Sequence, residues 1–131
     1  MTDDLVTWLR AQLDDDEQVA LKATPGPWRW VDPGGKVKSA LVGPGYPHQT
    51  VVPAAGGDVY PSKYDAVHIA LHDPGWVLAD VGAKRRIVDS FAASTEPLTA
   101  RTAEKAVVRM VLKLLALPYA DRPGYREEWR P

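Results

Sequence analysis

Thr24-Pro25-Gly26-Pro27 limits the fold of this chain more than any other four residues. Two prolines and a glycine so close together cannot continue a helix. The element before the segment must end there, and the element after it must start in another conformation. Residues 3–23, before it, read as a helix. Leu5, Leu9, Leu13 and Ala20 recur at helical spacing, with Val6 and Trp8 flanking, and Thr2 or Asp3 can cap the first turn. After it, Trp28-Arg29-Trp30-Val31 alternates large apolar with polar residues and reads as a strand. Val37 to Val42 and Gln49 to Val52 read as two more strands, with Pro33-Gly34-Gly35 and other Gly and Pro residues as turns. Residues 27–60 are therefore expected to form a small antiparallel sheet of two or three strands.

Helical signals return after Pro61. Ser62 is a suitable N-cap, and Asp65 makes an imperfect capping box with it. That helix is expected over about residues 62–72. Asp73-Pro74 then opens another, because aspartate caps well and the fixed φ of proline suits the first helical position. The residue before a proline is pushed out of helical geometry, so the break falls at Asp73. The next helix should run over about residues 74–94, with Val77, Val81, Val88 and Phe91 on one face, and Ser94 to Pro97 as a linker. A last helix over about residues 99–117 turns Ala103, Val107, Met110, Val111, Leu114 and Leu115 inward, and Pro118 ends it. The tail, residues 118–131, holds Tyr119, Tyr125 and Trp129. It is too aromatic to read as simply disordered and is expected to pack on the domain or on a partner. The order is helix, small sheet, then three helices, an α+β arrangement expected to form one domain over residues 1–131.

A chain of 131 residues can bury a core without covalent staples. It has no cysteine, which excludes a disulfide framework, a thiol nucleophile and cysteine-based zinc or iron–sulfur sites. The acidic start, Met1-Thr2-Asp3-Asp4, is unlike a signal peptide. No apolar run approaches the ~20 residues that span a bilayer. The longest, Val107 to Leu117, is interrupted by Arg109 and Lys113. A cytoplasmic protein without a membrane partner is expected. The net charge is −1, whereas nucleic-acid binders carry a basic surplus, so nucleic acid is not an expected partner. The charge is uneven. Residues 1–23 carry Asp3, Asp4, Asp14, Asp15, Asp16 and Glu17 against Arg10 and Lys22, while residues 84–131 carry ten Lys or Arg against six Asp or Glu. These stretches can attract each other in the fold; the plainer reading is solvated helix faces. The run Asp14 to Glu17 fans around a helix and reads as such a face, not as a metal site.

Candidate chemistry centres on His68-Ile69-Ala70-Leu71-His72-Asp73-Pro74. On a helical wheel Tyr64, Val67 and Leu71 share one stripe, expected to face the core, and Asp65, His68 and His72 share the next, at the edge of the buried face. His68 and His72, four apart, can reach a common ion or ligand. Such pairs ligate metals and suit acid–base work near neutral pH. A zinc site needs a third protein ligand, and the one other histidine is His48, in the loop before the third strand. No metal or other cofactor is therefore expected; structural roles weigh most, then ligand or partner binding. Trp28 and Trp30, two apart in a strand, point to one face. They read as sheet core or as a stacking platform for a ring. Lys84-Arg85-Arg86 reads as a solvated face, with Arg85 as an anion contact in the sharper reading. Gly43-Pro44-Gly45 and Gly34-Gly35 lack phosphate-cradle spacing, and no serine sits in a nucleophile elbow.

Several segments appear in a fixed order: Ala23-Thr24-Pro25-Gly26-Pro27-Trp28, His68 to Pro74, Lys84-Arg85-Arg86-Ile87-Val88, Leu115-Ala116-Leu117-Pro118-Tyr119-Ala120, and Tyr125-Arg126-Glu127-Glu128-Trp129. In these the chain resembles an actinobacterial family of unknown function found in host genomes and their phages. A fainter similarity reaches the Ead-like early proteins of phages, which share the Thr-Pro-Gly-Pro-Trp turn and lack the histidine pair. The resemblance implies a small accessory protein carried on mobile elements, and no activity.

Three functional readings fit these residues. The first is a binding module that grips a host protein or small ligand through Trp28, Trp30, Asp65, His68, His72 and Arg85, with the tail as a second contact. The second is a metal-dependent hydrolase using His68, His72 and Asp65. The third is a nucleic-acid accessory protein using Lys84, Arg85 and Arg86. The first leads, because no complete catalytic set can be assembled and the field is not basic. A homodimer through the last helix and the aromatic tail is the oligomer the sequence favours.

Overall fold

The computed structural model describes residues 2–31, 40–45, 50–52, 63–92 and 102–131. The architecture is α+β, as expected. Helix α1 (Thr2–Lys22) is succeeded by three short strands, β1 (Arg29–Val31), β2 (Ala40–Val42) and β3 (Thr50–Val52). Helices α2 (Lys63–Leu71), α3 (Pro74–Ala92) and α4 (Thr102–Ala116) come next, and two single 3₁₀ turns, Leu117–Tyr119 and Glu127–Trp129, close the chain. The strands form one antiparallel sheet in the order β1-β2-β3. Trp30 stands opposite Leu41 in the first pairing. The second pairing slips between Leu41 and Val42. The Pro33-Gly34-Gly35 turn, residues 37–39, His48, Gln49, Ser62, Ser94 to Pro97 and residues 99–101 lie outside the described residues.

The described residues group into two compact units, residues 1–16 with 81–131, and residues 17–80. In the first, the predicted stripe of α1 is buried. Leu5, Leu9 and Leu13 are in the core, together with Val81, Val88, Leu112, Ala116, Tyr119 and Trp129. The inward face of α4 is not the predicted one. Leu112 and Ala116 are buried and the predicted Val111 and Leu115 are half-buried, while Val107, Met110 and Leu114 are exposed. The apolar arc of α4 is wider than one contact face, so the periodicity does not fix which part of it is buried. The aromatic tail packs on its own chain. Trp8 lies 5.6 Å from Tyr125 and 5.4 Å from Trp129, centroid to centroid.

The charge asymmetry is used inside this unit. Asp4, Asp14 and Asp16 of α1 pair with Arg126, Arg85 and Arg122 at 3.1, 2.7 and 2.6 Å, and Arg10 pairs with Asp89 at 2.8 Å. Most of these groups are well exposed, so each pair contributes ~0–1 kcal/mol. Together they lie along the surface of α1 that meets the tail and α3.

Burial raises the Tyr119 phenol above its ordinary pKa. Lys84 opposes the rise and Asp16 adds to it. A folded-state value above the unfolded one gives stability that is complete below the unfolded value and is lost as pH climbs through the folded one. Thermal unfolding measured on either side of pH 10.0 should therefore show a steeper alkaline decline for the native chain than for Tyr119→Phe. Equal slopes would remove Tyr119 as the cause.

In the second unit, Ala20, Leu41, Val42 and Ala66 are buried, and α2 packs against β1. Here the structure overturns the expected face of α2. Tyr64, Val67 and Leu71, read as core, are 85%, 44% and 63% exposed. The helix instead turns Ala66 inward, with Ala70 half-buried. A methyl side chain lets the helix backbone approach the strand closely, a contact that the larger side chains would hold apart.

Candidate functional site

The junction between α2 and α3 is built around Asp73, which is only 7% exposed. Its Oδ1 accepts the Trp76 backbone N–H at 2.8 Å, and its carbonyl accepts the Val77 N–H at 3.0 Å. This is the predicted N-cap, with Pro74 at the first helical position. Oδ2 does something the local sequence does not announce. It accepts the Trp28 backbone N–H at 2.8 Å, so one carboxylate ties the Thr-Pro-Gly-Pro-Trp turn to the start of α3. The turn is closed from its own side as well, since the Trp28 indole N–H donates to the Thr24 carbonyl at 2.8 Å. Gly26 is required for this fit. A Cβ at that position would lie 2.6 Å from Asp73 Oδ2 and 2.9 Å from its Cγ, closer than non-bonded atoms approach.

Above this buried tie runs an exposed aromatic ladder. The His68 and His72 rings are 4.4 Å apart, centroid to centroid, with planes tilted by 41°. Trp76 meets His72 edge-on at 4.9 Å. His72 Nδ1 lies 2.8 Å from the His68 carbonyl oxygen. A carbonyl can only accept, so Nδ1 is the protonated nitrogen. The expected edge of a buried face is therefore a solvated face, on which Asp65, His68 and His72 are all exposed. Trp76, which did not stand out in the sequence, extends the ladder; its place three residues after the cap was the available signal.

The other candidates are placed separately. Trp28 and Trp30 are both half-buried, but only Trp30 lies in β1, and Trp28, expected in the same strand, precedes it and serves the turn through both its nitrogens. Arg85 belongs to the other unit and is engaged with Asp14 at 2.7 Å. Its neighbour Lys84 lies over the Tyr119 ring, 5.4 Å from the centroid. Two members of the basic triplet thus have partners in the chain. Among the described residues, no group of three His, Asp or Glu side chains is placed to hold a metal ion, and no helix is long and apolar enough to cross a membrane.

The chain matches the model of DUF6221, a family of unknown function, over residues 2–131, and belongs to that family. No curated protein and no solved structure matches it.

Proposed function

We propose that this member of a family of unknown function is a protein-binding module that seats an amphipathic helix of a partner protein on the outward face of α2. The observation that carries this is the exposed stripe Tyr64, Val67 and Leu71. These side chains repeat at i, i+3 and i+7, the anchor spacing of helix-in-groove recognition. Contiguous apolar surface left in water marks an interaction site more often than a scattered residue does. His68, His72 and Trp76 border the stripe with aromatic edges, a side-chain class enriched at interfaces.

The hydrolase reading finds no third ligand among the described residues. The nucleic-acid reading loses support because Lys84 and Arg85 are engaged within the chain. A small-molecule ligand has weaker support than a protein, because the exposed stripe runs along a helix surface. Cytoplasmic action, and carriage on a phage or mobile element of actinobacteria as the wider resemblance implies, belong to the same proposal.

The test is paired capture with the native chain and Val67→Glu/Leu71→Glu. Both positions are exposed, so the variant should keep the native melting temperature. Removing two apolar anchors should weaken binding by about 2 kcal/mol or more, roughly 30-fold. A partner that binds both forms equally, or no stripe-dependent partner at all, would overturn the reading.

A second reading is favoured by α4. Val107, Met110 and Leu114 of α4 are all exposed, at the 3-4 spacing of a coiled-coil seam, and Leu117, in the 3₁₀ turn that follows, is exposed as well. This supports a homodimer through α4. The tail does not contribute its large aromatics to that contact, because Tyr119 and Trp129 are buried in their own chain. Sedimentation should give a dimer for the native chain and a monomer for Met110→Lys/Leu114→Lys. A native monomer would remove the dimer and leave the α2 reading intact.

A further inference from the structure

We propose that His68 and His72 together form a site for a tetragonal, nitrogen-preferring divalent cation, Cu(II) foremost. Both imidazoles are exposed and one helical turn apart, so a hydrated ion can reach them. His72 is already oriented as a metal ligand. Its Nδ1–H is held by the His68 carbonyl at 2.8 Å, so Nε2 is the nitrogen that would take the metal. A backbone carbonyl on the non-ligating nitrogen is the usual support of a metal-bound histidine.

The ring separation is compatible with a right-angle pair of ligands. With metal–nitrogen bonds of ~2.05 Å, two Nε2-bound imidazoles have centres about 4.5 Å apart at a right angle and about 5.2 Å apart at the tetrahedral angle. The observed 4.4 Å matches the right angle. Square-planar and tetragonal sites of nitrogen donors suit Cu(II) and Ni(II), and affinity rises along the divalent series to a maximum at copper. The size of the donor set points the same way. Structural zinc demands a closed tetrahedral set, and none is present among the described residues. A tetragonal ion can keep water in its remaining positions. Trp76, 4.9 Å from His72, places an indole close enough to report a paramagnetic ion through quenching of its fluorescence. The site does not rest on the docking role of α2, because Val67→Glu/Leu71→Glu leaves both imidazoles in place.

The experiment uses the full chain without an affinity tag, stripped with chelator and titrated with CuCl₂, NiCl₂ and ZnCl₂ in a non-coordinating buffer. Calorimetry should give one equivalent of copper, bound more tightly than nickel or zinc. His68→Ala and His72→Ala should each weaken copper by ~100-fold, the loss of one arm of a chelate, with unchanged melting temperature in the absence of metal. Trp76→Phe should keep the affinity and lose most of the quenching. Copper binding unaffected by either histidine substitution, or abolished by His48→Ala, would overturn the two-histidine site. Zinc bound as tightly as copper would overturn the tetragonal assignment.

Discussion

Replacing Asp73 with alanine is expected to destabilise the chain by about 2–4 kcal/mol. For a chain of this length, that lowers the melting temperature by roughly 6–15 °C. Two losses combine. The N-cap of α3 goes with the bond to the Trp76 N–H, and the Trp28 N–H loses its acceptor 45 residues away. Asp73→Asn separates them. An amide has one acceptor oxygen and would set its NH₂ against one of the two donors, so it should fall between native and alanine. Gly26→Ala tests the same junction from the other side. Its Cβ would strike the carboxylate at 2.6 Å, so it should be costly in the native chain and cheaper once Asp73 is alanine. Urea denaturation of the four members of this double-mutant cycle measures the coupling, expected at about 1 kcal/mol or more. If Asp73→Ala came within about 0.5 kcal/mol of the native chain, a difference ordinary for plain surface changes, the carboxylate would not be the tie described.

The same junction separates what a sequence can disclose from what it cannot. The cap at Asp73 was legible because capping is local: the aspartate, the proline after it and the helix they start are adjacent. The partnership of Asp73 with Trp28 was not, because no periodicity links residues so far apart in the chain. Ala66 shows the limit of reading a face from hydrophobicity. The stripe with the largest apolar side chains on α2 points to water, while the small Ala66 is the buried residue of the helix. Close approach there is decided by shape, and the wheel weighs side chains by greasiness alone. On α4 the wheel centres on Val107, Met110 and Leu114, whereas the buried pair, Leu112 and Ala116, lies at the edge of a wide apolar arc. For the charges the plainer reading, solvated faces, gives way to the other one, attraction between the two ends of the sequence. The acidic start and basic end of the sequence meet as Asp4–Arg126, Asp14–Arg85 and Asp16–Arg122, although which carboxylate would meet which arginine was set by packing.

Trp129→Ala should cost about 3–5 kcal/mol, the range for emptying a large aromatic from a core. Trp129 is 3% exposed. It lies 5.4 Å from Trp8 and 5.8 Å from Tyr125, and the Arg126 guanidinium sits 5.3 Å from its ring centroid. The cluster is clamped at its other end. The Trp8 indole N–H donates to the Pro123 carbonyl at 3.0 Å, and Gly124 turns the chain there at φ 86°. A Cβ on Gly124 would come within 2.8 Å of Trp8 Nε1. Deleting residues 123–131 should therefore destabilise at least as much as the single substitution, because it removes the clamp as well. Trp129→Phe keeps most of the apolar area and should lose less than half as much. Near-ultraviolet circular dichroism should change with Trp129→Ala and track the same unfolding transition as the far-ultraviolet signal. Concentration distinguishes self-packing from packing on a partner copy. A tail held by its own chain gives a stability loss that is constant with dilution, whereas a tail held by another copy gives one that grows as the protein is concentrated. Constancy is the expected result, and a loss that rises with concentration would place Trp129 in an interface between chains.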